Sequence, residues 1–360
     1  MNDLAQTSLL VIYAAMACYM IALISFSIDL SNLRSRRDSE GHVIKERELV
    51  TAGGGSRVVA GEAPSSDSTT HPAVTDDSDD SDGHAEVPAA TAAQSDGSAV
   101  AEVGSGSESV SPARRRAAGI AMSTTFLGAA FHVIGVITRG ISAGHVPWSN
   151  MYEFTISFTA VIVVLYLVMA RARDLRYLGA FVMLPILLLL GIAVAVLYVE
   201  ADGLRPILDH YWLVLHVATA IIAISVFSIS AVLAVLQLAK DFSGGTGSIV
   251  ERILSGLPSA DDLERFSYRF AAVGFVLWTF TLVAGAIWAE HAWGRPWGWD
   301  AKEVWTFVIW LIYAGYLHAR ATRGWDGRRA AWLVLTGFTA ILLNYFVVNF
   351  LLSTKHGYAF

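Results

Sequence analysis

Apolar residues gather along this chain into runs of close to twenty, separated by short polar stretches, and each run is long enough to cross a bilayer as a helix. The pattern predicts eight such helices, at about residues 9–28, 119–138, 151–170, 177–198, 211–238, 270–289, 302–320 and 331–350. Pro185 is placed to kink the fourth. Before the sixth, LPSADDLERFSYR reads as a short amphipathic helix capped by Ser259 or Asp261. The fold class is therefore all-α, a polytopic integral membrane helix bundle of about eight transmembrane helices. An apolar content of 54% agrees and excludes the soluble classes.

The charges between the runs orient them. Arg34, Arg36, Arg37, Lys45 and Arg47 follow the first run, and Arg114, Arg115 and Arg116 precede the second. Arg171, Arg173 and Arg176 follow the third, and Arg320, Arg323, Arg328 and Arg329 separate the seventh from the eighth. Alternation puts all of them on one side, cytoplasmic by the positive-inside rule, so both termini are expected outside. The first run is too long for a signal-peptide core and has neither a basic region before it nor an Ala-x-Ala site after it, so it reads as a retained helix.

The net charge of −6 is uneven: residues 31–118 carry 9 basic and 15 acidic side chains, and the rest of the chain is neutral. That segment, with Asp76, Asp77, Asp79, Asp80 and Asp82, has too little apolar surface to offset the entropy of ordering, and is expected to be a disordered cytoplasmic linker. His71 and His84 beside those carboxylates offer at most a weak metal site in a solvated tail. The expected organisation is a first transmembrane helix over 1–30, the linker over 31–118, and a seven-helix membrane domain over 119–360. Cys18 is the only cysteine and lies in an apolar run, so any thiol chemistry must use a partner's cysteines.

The chemistry concentrates between Trp288 and His318, where Trp288, Trp293, Trp297, Trp299, Trp305 and Trp310 crowd around Asp300, Lys302 and Glu303. An interfacial aromatic belt accounts for one or two Trp per helix end. Six, set beside Gly294 and Gly298, suggest a stacking platform for a flat ligand. Among ten histidines, His42, His71 and His84 fall in or beside the linker, and His145, His210 and His291 in external loops. His216 and His356 reach the depth of the Trp-rich loop, and two imidazoles beside such a platform suit the axial positions of haem iron. Imidazoles within the bilayer, His132 and His318, need partners, but a rise of about 1.5 Å per residue sets them at different depths. Arg295, Arg139 and Arg205 are external cations able to face carboxylates. Asp300 and Glu303 either assist proton transfer or order the loop at a helix start.

The stretch AWGRPWGWDAKEVW followed by YLH resembles the tryptophan-rich "WWD" signature of haem-handling proteins, and the layout is most similar to the CcsA/ResC family of cytochrome c biogenesis, System II. GHVPWSNMYE, YWLVLHV and NFLLSTKHGY resemble further segments of that family. Two departures are visible: Ala301 stands where the family usually has Pro, and the acidic linker lies outside the shared core. The resemblance implies a haem-handling protein of the cytoplasmic membrane. It would take haem b as substrate and bound ligand, receive it from the inner side, carry it across or through the membrane and hold it externally on the loop at 288–305. The haem would then be joined to the Cys-x-x-Cys-His thiols of apocytochrome c, as in a cytochrome c synthase. His216 and His356 would be external axial ligands, and His318 the intramembrane ligand. A ResB/CcsB-type membrane protein would be the partner and supply a second intramembrane histidine if His132 does not. Thiol-reducing proteins would keep the apocytochrome cysteines reduced, and no nucleic acid is expected. Trp293, Trp297, Trp299 and Trp305 would form the floor, with Arg295 at the propionates. The alternatives are a haem exporter or chaperone without attachment activity and, of another class, an ion or solute transporter with a histidine relay.

Overall fold

The computed structural model describes residues 2–53, 112–172, 175–201, 203, 210–244, 249–254 and 256–351, and the regular structure among them is helical throughout. The helices are α1 (Asn2–Gly53), α2 (Pro112–Ala143), α3 (Met151–Ala172), α4 (Gly179–Ala195), α5 (Tyr211–Ser243), α6 (Ile249–Leu254), α7 (Ala260–Trp293), α8 (Ala301–Arg323), α9 (Gly327–Leu342) and α10 (Val348–Leu351). Seven segments are long and apolar enough to cross a membrane, in α1, α2, α3, α4, α5, α7 and from Gly327 to Phe350. The eighth long helix, α8, has 23 residues, enough for about 35 Å at 1.5 Å per residue. The expected all-helical, polytopic membrane bundle is the observed architecture.

The described residues from Asn2 to Glu40 and from Pro112 to Leu351 belong to one compact unit. The centre of the acidic linker, residues 54–111 with His71 and His84, lies outside the described residues, as do Arg205 and His356.

Several element limits differ from the sequence reading. In place of a short amphipathic helix followed by a span from residue 270, α7 runs for 34 residues without interruption. Ser259 is its N-cap, its hydroxyl accepting the Asp262 N–H at 3.1 Å, and neither Pro nor Gly stands between there and Phe270 to stop the helix. It ends at Gly294, whose φ of 68° is the left-handed conformation that a helix C-terminus favours. α4 continues through Pro185. α9 begins four residues earlier than expected, and its far end widens into a π turn, Leu343–Val347, before α10.

The packing of α5 on α7 sets the frame. Phe227 of α5 lies where a Cβ on Gly274 of α7 would be only 2.8 Å from its ring, and it stacks on Tyr313 of α8 with centroids 3.8 Å apart. Tyr313 in turn fills the space beside Gly337 of α9, where a Cβ would meet its ring at 2.7 Å. Two glycines thus let two rings tie four helices. One turn along α5, Ser230 and Ser267 exchange hydrogen bonds, each hydroxyl donating to the other's carbonyl at 2.8 and 2.9 Å. At the Arg-rich end, buried Glu264 bonds Arg320 of α8 and accepts the Gly327 N–H at 2.8 Å, so the turn between α8 and α9 is fixed to α7.

Replacing Gly274 or Gly337 by Leu should destabilise the protein by at least about 1–3 kcal/mol, the usual cost of overpacking. Gly315, where an added Cβ meets nothing within 4 Å, should accept Ala without loss. Thermal unfolding of the detergent-solubilised protein, followed by circular dichroism, checks both, and equal melting temperatures for all three variants would contradict the packing argument.

Candidate functional site

At the end of the bundle away from Glu264, the start of α3, α5, α7, the start of α8 and the π turn enclose a cavity of about 230 Å³. His216 of α5 stands in its wall. Its Nδ1 is 2.9 Å from the Thr281 carbonyl of α7. A carbonyl oxygen can only accept, so Nδ1 carries the proton and the lone pair of the neutral ring is at Nε2. Gly285 makes this approach possible, since a Cβ there would fall 2.7 Å from the imidazole. On the same stretch of α7, Trp288 is buried and lies nearly parallel to the imidazole, at 11° and 6.4 Å between centroids.

The tryptophans sort into distinct places. Trp293 and Trp297 line the cavity, and Trp293 meets Trp288 edge-on at 4.8 Å. Trp148, Trp278 and Trp288 line it as well. Trp305 instead packs against the cluster that contains Phe227, Trp278 and Tyr313, and Trp310 donates its indole N–H to Thr279 Oγ1 at 2.9 Å. Trp299 points away and is 74% exposed.

Its conformation has a visible cause. Trp299 has a φ of 58°, costly for a bulky side chain, and Glu303 straddles it: Oε2 accepts the N–H groups of Gly298 at 2.7 Å and Asp300 at 3.0 Å. Asp300 caps α8 and completes a capping box with Glu303. Both carboxylates therefore order the loop, the second of the two roles open to them from sequence. Asp300 Oδ1 also accepts the Ala301 N–H at 2.8 Å, a bond that Pro could not make, so Ala at this position does not leave the helix start untied. Arg295 folds over Gly298, beside the lining residues Pro296 and Trp297.

Arg139 is not the external cation that its loop position suggested. It is 1% exposed, donates from Nε to Glu153 Oε1 at 2.9 Å and from Nη2 to the Glu200 carbonyl at 3.2 Å, and lies over the Tyr152 ring. A guanidinium can be buried only with a partner, and Glu153 at the start of α3 supplies it. The other oxygen of Glu153 accepts both the N–H and the hydroxyl of Ser149, at 3.1 and 2.9 Å, which ties down the loop carrying Trp148. The His145 side chain turns inward beside this pair, only 5% exposed, in contrast to the surface residue expected.

The remaining histidines stand elsewhere. His132 is buried on α2 with the Tyr19 hydroxyl of α1 3.2 Å from its Nδ1, and His318 is exposed on α8. Neither lines the cavity. His210 and His291 meet where α5 begins and α7 ends, with centroids 4.6 Å apart. Among the described residues no group of three or more His, Cys, Asp or Glu gathers for a metal ion.

Sequence reading missed Trp148, Trp278, Gly285, Lys302 and Tyr345 as lining residues. For α7 a signal existed: Trp278, Thr281, Leu282, Gly285, Trp288 and Ala289 recur at helical spacing on one face.

Over residues 148–356 the sequence matches a family described as cytochrome C assembly protein. That segment opens on Trp148, contains every cavity-lining residue, and excludes α1, α2 and His132. The chain is similar to the cytochrome c biogenesis protein CcsA of Prochlorococcus marinus subsp. pastoris (strain CCMP1986 / NIES-2087 / MED4), 35% identical over 251 residues, covering 63% of this chain and 79% of that relative. It is also similar to the cytochrome c biogenesis protein CcsA of Porphyra purpurea, 31% identical over 259 residues, covering 61% of this chain and 81% of that relative.

Replacing Glu303 by Ala removes the acceptor of two loop N–H groups and should cost the loop about 1 kcal/mol, so exchange of the Gly298 and Asp300 amides should quicken about fivefold. Gln, which also serves in capping boxes, should retain most of the protection. Hydrogen exchange read by mass spectrometry checks this, and unchanged exchange in Glu303→Ala would rule out the straddling carboxylate as what holds the loop.

Proposed function

The chain belongs to the cytochrome c assembly protein family and its role lies in cytochrome c maturation; from that premise we propose that it receives haem b, presents it in the tryptophan-walled cavity on the external side, and promotes its covalent attachment to apocytochrome c. The observation that carries this reading is His216 in the wall of a tryptophan-lined cavity, its Nδ1 held by the Thr281 carbonyl so that Nε2 is the iron-ligating atom. His356, in the segment after α10, is the second axial ligand. Trp293 and Trp297 give the flat ligand its stacking faces, and Arg295 is a cation at the loop's edge. The exposed Trp299 is the side chain of the loop most available to an incoming apocytochrome.

Ligation on both faces shields the iron while the porphyrin edge remains approachable. The histidine of Cys-x-x-Cys-His displaces one imidazole and brings its two thiols to the vinyl groups, a proximity effect. Each thiol adds across a C=C bond: S–H breaks, C–S and C–H form, and nothing is oxidised. The chemistry therefore asks no cysteine of this chain, in keeping with Cys18 standing alone in α1. Thiol-reducing proteins of the same compartment keep the apocytochrome cysteines competent.

His318 is the intramembrane ligand in this reading. Its exposure on α8, and the enclosure of His132 behind Tyr19, favour a second intramembrane histidine from a ResB/CcsB-type partner. The Arg-rich turn between α8 and α9, at the end opposite the cavity, supports a cytoplasmic position for that end and an external one for the loop. Residues 54–111 belong in this scheme to an acidic cytoplasmic linker.

The test is co-expression with a ResB/CcsB-type protein and an apocytochrome in a strain lacking its own maturation system. Covalent cytochrome c, stained by haem peroxidase activity after denaturing electrophoresis, is expected, and replacing His216 by Ala should reduce it at least tenfold. Haem bound to the complex without covalent product would favour an exporter or chaperone instead, and no bound haem at all would favour a transporter.

A further inference from the structure

Lys302 is the single Lys or Arg among the described residues that line the cavity. Its ammonium bonds the Asn349 amide oxygen, a neutral acceptor. Among the described residues no carboxylate comes within 4.0 Å of it. The acids nearest in sequence are engaged with backbone, Asp300 at the Ala301 N–H and Glu303 at Gly298 and Asp300. Asp300 acts on the ammonium electrostatically from beyond that distance, but the one direct partner that Lys302 has in this largely apolar cavity is a neutral amide, which does not restore the hydration lost. The wall is thus built for a ligand that brings the anion.

Its neighbours suit that role. Asn349 is itself held, its NH2 donating to the Tyr345 carbonyl at 2.7 Å, so it fixes the ammonium in place. Asn344, also in the wall, has its buried amide oxygen without a hydrogen-bond partner. Rotating that amide by 180° presents its NH2 from the same position. Of the expected cations, Arg139 is paired with Glu153, Arg295 packs outside the lining over Gly298, and Arg205 lies outside the described residues.

We infer that Lys302, steadied by Asn349 and assisted by Asn344, is the seat of a carboxylate of the cavity's ligand. Under the haem reading, on which this rests, that carboxylate is one propionate. The cation is on α8 and the iron-ligating imidazole on α5, so the ligand is gripped by its edge from one helix and by its metal from another. This selects for an acidic porphyrin and fixes which edge turns outward.

The experiment is a Soret titration of the full chain in lipid nanodiscs with haem and, separately, with haem dimethyl ester, in which both propionates are blocked. Wild type should bind haem at least tenfold more tightly than the ester, because a charge-assisted pair to a carboxylate is worth about 1.4 kcal/mol or more. Lys302→Gln should narrow that ratio about tenfold while ester affinity stays the same. Asn349→Asp, which retains the lysine and gives it an internal anion, should weaken haem about tenfold and leave the ester unaffected. Equal ratios in wild type and Lys302→Gln, or wild-type haem affinity in Asn349→Asp, would overturn the assignment of Lys302 and leave the haem site standing. A wild-type chain that binds neither compound would overturn the haem reading, and this inference with it.

Discussion

Two rings laid on two glycines hold this molecule together. Phe227 on Gly274 and His216 on Gly285 are the same contact made twice, eleven residues apart on α5 and eleven on the antiparallel α7. Eleven residues are close to three helical turns, so both contacts fall on one seam. The first ring is structural and passes the contact on to Tyr313 and Gly337. The second is an imidazole whose Nδ1 meets the Thr281 carbonyl. The packing rule that brings the helices together thus also fixes the tautomer and direction of the histidine. A rigid seam along the whole interface leaves the cavity end little freedom to misplace it.

Around that seam, charge is used to hold loops. Glu303 turns the chain at Trp299, Glu153 with Arg139 secures the loop of Trp148, and Glu264 with Arg320 fixes the far end. In each case a partly or fully buried carboxylate accepts at least one backbone N–H of a loop or turn. Lys302 departs from this pattern, because its hydrogen-bond partner is a neutral amide.

Much of the fold was legible from the chain. Runs near twenty apolar residues mark the spans because an exposed backbone cannot cross a bilayer otherwise, and Ser259 was readable as a cap. The division between an amphipathic helix and a sixth span was not, because a change from polar to apolar composition looks like a boundary although nothing between Ser259 and Phe270 breaks the helix. In the site, His216 and the tryptophan stretch were legible as chemistry without geometry. Six tryptophans close in sequence look equivalent, yet one faces solvent, two enter the helix seam and the others reach the cavity, since facing is decided by the turn at Trp299 and the start of α8. Arg139 looked like a free external cation because its partner lies fourteen residues away on another helix. Gly285 carried no mark at all: what it contributes is the side chain it lacks.

The central claim is that His216, seated on Gly285, ligates haem iron through Nε2. It is tested most directly by the absorption spectrum of the purified complex carrying His216→Gly, before and after adding imidazole. The Soret band of haem in the cavity should be lost or shifted in the variant and restored by imidazole. A Soret band unchanged by the substitution would contradict it.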